Sequence, residues 1–185
     1  MNRKAGQDPL LSLLRQTADG DRKSFQVLYE ETNHRLKVYL YRLIGDRACI
    51  DDILIETYTQ VWKSSATFQG RSLVMSWMIG IARNVAFREM GRLHYHETLD
   101  DHQELIAKTV DPDASDRKKV LALALAQLKP RHREILDLAF FHDLPYREIA
   151  DILNVPVNTV KTRVFHAKAA LKTVLNKMDI DSNDL

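Results

Sequence analysis

The sequence has few of the residues that interrupt helices or crosslink small folds. Its 185 residues include 6 glycines, 5 prolines and one cysteine, Cys49. So few helix-breaking residues, with 45% hydrophobic and 28% charged residues, predict a globular all-α protein without a large sheet. A single cysteine excludes an internal disulfide framework and a cysteine-based zinc site.

Long apolar runs are also absent. The longest one, VLALALA at 120–126, is far shorter than the roughly 20 residues that cross a bilayer. The amino-terminal stretch MNRKAGQDPLL lacks the apolar core of a signal peptide. We therefore expect no membrane insertion and a cytoplasmic location.

The net charge of +2 conceals a strong asymmetry along the chain. Residues 1–92 contain 14 basic and 10 acidic side chains, and residues 117–178 contain 12 and 5. Between these blocks, 93–116 contain 1 basic and 7 acidic side chains, and the tail 179–185 is acidic again. Basic blocks are typical of phosphate binding, whereas the polar, weakly periodic acidic segment is typical of a linker. The pattern predicts two small helical domains, 1–92 and 117–178, joined by a flexible acidic linker.

The segment 145–172, PYREIADILNVPVNTVKTRVFHAKAALK, predicts two short helices around a tight turn. The first has apolar residues at helical spacing, namely Tyr146, Ile149, Ile152 and Leu153. Asn154-Val155-Pro156 ends this run, and the proline suits the start of a second helix. The inner line of the second helix is Val157, Val160, Val164, Ala167 and Leu171.

The opposite surface of the second helix suits DNA. Its members are Asn158, Lys161, Thr162, Phe165, His166 and Lys168. Lysine attracts phosphate, the smaller polar groups can bond base edges, and an outward phenyl ring can cover a thymine methyl. The pattern is that of a helix-turn-helix, although periodicity alone leaves open an ordinary helical hairpin with a solvated face.

The first basic block predicts four helices, at about 9–18 with a stop at Gly20, from the region of Phe25 to a stop at Gly45, at about 47–65 and at about 73–92. The second is a core helix that carries on one face Phe25, Leu28, Tyr29, Thr32, Leu36, Tyr39, Leu40 and Leu43. The third buries Ile50, Ile53, Leu54, Thr57 and Val61. Its outer face carries an acidic cluster of Asp51, Asp52 and Glu56. Like charges four residues apart on a helix repel, which costs a few tenths of a kcal/mol. Either the cluster has a basic partner, or it is a solvated face relieved by Lys63 and Arg47.

The fourth helix follows a glycine-containing loop and combines groups that single-stranded DNA requires. Its inner line is predicted to be Trp77, Ile81 and Val85, with Arg83, Asn84, Phe87, Arg88 and Arg92 elsewhere. Arginine meets the backbone charge, while aromatic faces and amides hold unstacked bases. The alternative is that the aromatic residues Trp62, Phe68 and Trp77 belong to the core.

Taken in order, these motifs resemble an extracytoplasmic-function sigma factor of the sigma-70 family. The resemblance is carried by CIDDILIETYTQVW, then FQGR, then W…IARN, then LKPRHRE and the helix-turn-helix, and it covers nearly the whole chain. It implies a non-enzymatic subunit without cofactors that binds core RNA polymerase and promoter DNA. It also implies an anti-sigma partner.

The resemblance also implies residue roles. The acidic cluster corresponds to the residues with which members of the family bind the clamp helices of the polymerase. The loop that captures a flipped minus-ten base and the helix bordering it correspond here to Phe68, Gln69, Gly70, Arg71, Ser72, Asn84 and Arg88. In the helix-turn-helix, the outer surface of the second helix corresponds to the surface with which members of the family recognise the minus-thirty-five element. Cys49 and Ile55 replace an acid and a glutamine common in the family, and His166 replaces an arginine, so these contacts are expected to be weaker.

Two other functions are considered. A free-standing helix-turn-helix regulator would need a ligand pocket, receiver domain or dimerisation element, and the first block resembles none of them. A metal enzyme would use the imidazoles and carboxylates of the linker, which are His94, His96, Asp100, Asp101, His102 and Glu104. No scaffold or nucleophile motif accompanies them, so the sequence predicts no metal site.

Overall fold

The computed structural model describes residues 8–45, 48–93 and 116–178, and within these ranges the regular structure is entirely helical. The all-α prediction is therefore confirmed. The helices in chain order are α1 (Leu10–Ala18), α2 (Arg22–Ile44), α3 (Ile50–Ser64), α4 (Val74–Leu93), α5 (Asp116–Ala126), α6 (Pro130–Leu136), α7 (Tyr146–Leu153) and α8 (Val157–Lys177). A 3-10 turn, Ser65–Thr67, follows α3, and a π-helical turn, Asp137–Phe141, follows α6.

The chain divides into two compact units. The N-terminal unit is Met1–Leu40 with Ala48–Thr98, and the C-terminal unit is Tyr41–Arg47 with Leu99–Leu185. The predicted linker, apart from its two end residues, and the predicted tail lie outside the described residues, as do Arg47 and the linker histidines. Within the described ranges, no helix is both long and apolar enough to cross a membrane.

Glycines end the first two helices, as the sequence predicts. After α1, Gly20 has φ +90°, and after α2, Gly45 has φ +80°. Residues other than glycine rarely adopt this left-handed backbone conformation. The two glycines therefore end their helices and let the chain turn.

Within the N-terminal unit, helix α3 packs against α4 and α1. All five residues predicted for its inner face are buried, and Tyr58 joins them. The Tyr58 hydroxyl lies 2.8 Å from the Thr32 hydroxyl of α2. Because Thr32 donates to the Leu28 carbonyl at 2.6 Å, Tyr58 is the donor to Thr32. Burial raises the pKa of Tyr58, so the phenol stays protonated and keeps this bond.

Two predictions about buried faces in this unit are wrong in detail. Among residues 74–91 of α4, the buried ones are Val74, Met75, Ser76, Met78, Ile79, Ala82, Val85 and Ala86. Trp77 and Ile81 are only half-buried, so the predicted inner line is rotated by about one residue. In α2, Tyr29 is 42% exposed, although the centroid of its ring lies 4.7 Å from that of the buried Tyr58 ring.

The C-terminal unit contains the predicted helix-turn-helix in α7 and α8. Asn154 ends α7 with φ +51°, a left-handed conformation that asparagine tolerates better than most residues. The N–H of Val155 donates to the Ala150 carbonyl at 3.0 Å, and Pro156 then precedes the first residue of α8. The turn therefore follows the predicted Asn-Val-Pro break.

The inner line of α8 is confirmed at its centre and shorter than predicted. Val160, Val164 and Ala167 are buried, whereas Val157 is 37% exposed and Leu171 is half-buried. In α7 the buried pair is Ile149 and Ala150, while Tyr146 is exposed and Ile152 and Leu153 are half-buried. The ends of the two helices are thus more accessible than their apolar sequence indicates.

Candidate nucleic-acid interface

Helix α8 presents a continuous polar face from the C-terminal unit. All six residues predicted for this face are exposed, and Phe165, at 70%, is the most exposed of the large apolar side chains in the ranges that the structure describes. Its ring lies edge-on to His166, with centroids 5.5 Å apart. The Nζ of Lys168 stands over the Phe140 ring, 4.6 Å from its centroid. This face combines two cations, hydrogen-bonding groups and an uncovered ring on one rigid helix.

The acidic face of α3 belongs to the N-terminal unit. Asp51 and Asp52 are exposed, and the Oδ1 of Asp51 lies 2.8 Å from the Nζ of Lys37 on α2. Ile55, one turn further along, is 67% exposed. An isoleucine of this exposure within an acidic helix face has no role in the folded core.

Glu56 of this face is partnered within the unit. Gln60 donates to its Oε1 at 3.0 Å, and the Nη2 of Arg88 on α4 lies 3.4 Å from the same oxygen. The hydrogen bond from Gln60, followed by Arg88, lowers the pKa of the Glu56 carboxyl. The sequence predicted Lys63 and Arg47 as the cations that relieve the cluster. The charge of Lys63 does lower the pKa of the Glu56 carboxyl, Arg47 lies outside the described residues, and the structure adds Lys37 and Arg88 as partners. Since both partners of the Glu56–Arg88 pair are about 45% exposed, water screens their attraction and the pair contributes little to stability.

The loop between the 3-10 turn and α4 carries the residues predicted to hold a flipped base. Gln69 and Arg71 are exposed, while Phe68 is half-buried with its ring 5.1 Å from the Trp77 ring. Gly70 has φ +68°, and a Cβ built on it would meet nothing within 4 Å. Backbone conformation, not space, therefore requires glycine at this position.

An open cavity of about 360 Å³ lies between this loop and α1. Its lining consists of Leu11, Leu14, Arg15, Ala18, Asp19, Ser65, Ala66, Phe68, Gln69 and Gly70. The sequence did not indicate that α1 forms one wall of it. Arg15 on α1 and Asp19 just after its end were the available signal, but nothing in the local sequence relates them to a loop so distant in the chain.

Helix α4 presents a second polar strip. Asn84 is exposed, and the Arg83 guanidinium stands over the Phe87 ring, 4.5 Å from its centroid. Phe87 is 42% exposed, so the ring keeps an accessible surface. The predicted amide, cation and aromatic group therefore lie together on this helix.

Within the described residues, no group of histidine, cysteine or carboxylate side chains is arranged to hold a metal ion. The metal-ligand candidates of the predicted linker lie outside those residues.

These faces and the turn between α7 and α8 define a two-unit helical protein of the helix-turn-helix class. Residues 28–94 match the family model for sigma-70 region 2, and residues 118–171 match the one for sigma-70, region 4. Together the two matches cover more than half of the chain. The chain belongs to the sigma-70 family, as an alternative RNA polymerase sigma factor of the extracytoplasmic-function group.

Known proteins similar to the chain carry the corresponding names. It is 25% identical over 174 residues to the ECF RNA polymerase sigma factor SigK of Mycobacterium sp. (strain JLS), across 88% of this chain and 89% of that protein. It is 25% identical to the RNA polymerase sigma factor YlaC of Bacillus subtilis, across 84% and 94% of the two chains.

The fold is also shared with solved structures. The sigma factor RpoE of Bartonella quintana, solved with the anti-sigma factor NepR, has a TM-score of 0.67 at 21% identity, across 83% of this chain and 98% of that chain. CnrH, solved with the cytosolic domain of CnrY, has a TM-score of 0.66 at 19% identity, across 90% and 97%.

Proposed function

We propose that this sigma factor uses three separate surfaces: α3 for core polymerase, the loop with α4 for the opened minus-ten element, and α8 for the minus-thirty-five element. The region 1–92 carries the first two surfaces, 117–178 carries the third, and 93–116 joins them. The chain supplies recognition, catalysis stays with the polymerase, and both act in the cytoplasm.

The observation that carries the proposal is that one face of α8 is exposed while the residues on its opposite side are buried. A helix enters a major groove only if one side is free of protein contacts while the other anchors it. Val160, Val164 and Ala167 anchor α8, and the opposite side is exposed throughout. In the proposed complex Lys161 and Lys168 meet phosphates, while Thr162 and Phe165 meet base edges.

The minus-ten proposal rests on the loop and on the strip of α4. The half-buried Phe68 ring and the exposed Gln69 amide border the cavity, which provides a place for an unstacked base. Asn84 and Arg88 on α4 supply an amide and a cation for the adjoining strand. In this proposal Arg88 exchanges Glu56 for a phosphate when DNA arrives.

The proposal for core polymerase rests on α3. Asp51, Asp52 and Glu56 lie on one face, and the exposed Ile55 lies among them. Acidic side chains around an apolar side chain suit a basic partner surface with a small apolar contact at its centre. Ile55 thereby replaces a polar contact of the family with an apolar one.

An anti-sigma protein is proposed as the regulator. The similar RpoE of Bartonella quintana was solved with one, and the exposed surfaces that serve polymerase and DNA here are also available to a competing protein. Co-purification from the native cell would identify it.

Run-off transcription with purified bacterial core polymerase on fragments of the native genome tests the function. We expect discrete transcripts that require the chain and disappear with the double variant Thr162→Ala, Phe165→Ala. If the chain binds duplex DNA and changes transcription by another holoenzyme without joining core polymerase, it acts as a free-standing regulator and the proposal is wrong.

A further inference from the structure

Asp8 stands just before α1, and its carboxylate bonds to the beginnings of two helices. Its Oδ1 accepts a hydrogen bond of 3.0 Å from the N–H of Leu10, the first residue of α1. Its Oδ2 accepts one of 2.6 Å from the N–H of Val74, the first residue of α4. One side chain therefore joins two helix starts that are distant in the chain.

Neither helix start has a carboxylate in its own first turn, and Pro9 provides no side-chain cap for α1. The first N–H groups of a helix have no partner within it, and a negative charge there is favoured by the helix dipole. Val74 is 0% exposed, so without Asp8 its N–H would lose its partner in a place that water reaches poorly.

The position of Val74 gives this bond a consequence for the loop. The loop 68–73 ends at Val74, and α1 forms the opposite wall of the cavity beside that loop. Asp8 therefore ties the end of the loop to the start of the helix that faces it. The tie therefore joins the two walls of the cavity, since α1 contributes Leu11 and Arg15 to the lining and the loop contributes Gln69.

We propose that Asp8 is a positioning residue for minus-ten recognition: it holds α1 and the start of α4 together so that the loop keeps the shape that selects the flipped base. The proposal rests on the function proposed above for the loop. Asp8 itself does not contact DNA in this proposal.

The test uses holoenzyme assembled from core polymerase and full-length variants. Asp8→Ala removes both bonds, and Asp8→Asn keeps one acceptor oxygen in place of two. The matched control is Asp21→Ala, because Asp21 accepts from the N–H of Lys23 at 3.0 Å and from the Ser24 hydroxyl at 2.7 Å at the start of α2, apart from the cavity lining. Each protein is melted, and each holoenzyme selects from a promoter library with a randomised minus-ten element.

We expect Asp21→Ala to lower the melting temperature by roughly 3 to 8 °C, as for other lost helix caps, and Asp8→Ala to lower it at least as much, because the N–H of the buried Val74 loses its partner. Only Asp8→Ala should lower discrimination at a minus-ten position, by about fivefold, with Asp8→Asn in between. If Asp8→Ala folds and keeps the wild-type preference, whatever its melting temperature, the residue is an ordinary cap and the proposal is overturned. If Asp8→Ala does not fold, the same criterion applies to Asp8→Asn.

The double variant Gln69→Ala, Arg71→Ala separates this inference from the proposed function. If it alters the minus-ten preference and the Asp8 variants do not, only the inference about Asp8 fails. If it leaves the preference unchanged, the assignment of the loop fails, and the inference fails with it.

Discussion

Phe165 offers the sharpest test of how the chain reads an upstream promoter element. The side chain is 70% exposed, whereas Val164 and Ala167 of the same helix are buried. Replacing an exposed side chain of this kind changes the free energy of unfolding by about 0.5 kcal/mol or less. Phe165→Ala should therefore fold and melt like the wild-type protein, so that any loss of function belongs to DNA binding.

The expected loss follows from the surface that the ring offers. An aromatic side chain can bury about 150 to 250 Å². If a thymine methyl and its surroundings cover about 60 Å² of the exposed ring, the contact contributes about 1.5 kcal/mol at about 25 cal/mol per Å². That corresponds to roughly a tenfold preference for the contacted base pair. Binding to promoters that differ at this position should then become nearly equal in Phe165→Ala.

Selection from a randomised minus-thirty-five element by holoenzyme measures this preference, with titrations on the selected sequences. The matched control is Phe87→Ala, which removes another exposed ring, on α4 of the N-terminal unit. Phe87→Ala should keep the upstream preference and slow promoter opening instead. An unaltered upstream preference in Phe165→Ala, or the same change in both variants, would refute the assignment of α8 as the reading helix.

Other variants test the remaining surfaces. Asp52→Lys combined with Glu56→Lys should abolish core binding in a pull-down and leave the melting temperature nearly unchanged, because both carboxylates lie at the surface. Normal holoenzyme assembly by this variant would mean that the acidic face of α3 is only a solvated face. Asn84→Ala should spare core and duplex binding but reduce permanganate reactivity of the minus-ten region, because the amide contacts a base only after it leaves the stack; normal opening would exclude that contact. Lys161→Ala should weaken binding to all promoters and lower the slope of log affinity against log salt by about one. A changed base preference without a changed slope would contradict its assignment to phosphate.

The linker histidines serve as a control for these experiments. Replacing His94, His96 and His102 together with alanine should leave upstream recognition unchanged, because the sequence predicts no base-reading role for that segment. A changed upstream preference in this variant would mean that the reading surface has been assigned to the wrong part of the chain.

Local pattern was sufficient for much of the architecture. Glycines with positive φ end α1 and α2 where the sequence indicates, and Asn154 ends α7 for the same stereochemical reason. Periodicity also separated the buried and exposed sides of α3 and the outer face of α8. It was less reliable for α4, where apolar residues occur on nearly every side and the line through Trp77 and Ile81 is only half-buried.

The sequence by itself thus determined the helices, the faces of the amphipathic ones and the resemblance to sigma factors, because backbone propensity and side-chain periodicity act between near neighbours. Only the tertiary structure decided which distant residues meet. It pairs Arg88 with Glu56, makes α1 one wall of the cavity beside Gln69, and bonds Asp8 to Val74. Periodicity states which side of a helix is buried, but not which distant residue will face it. That choice depends on how the helices pack in three dimensions.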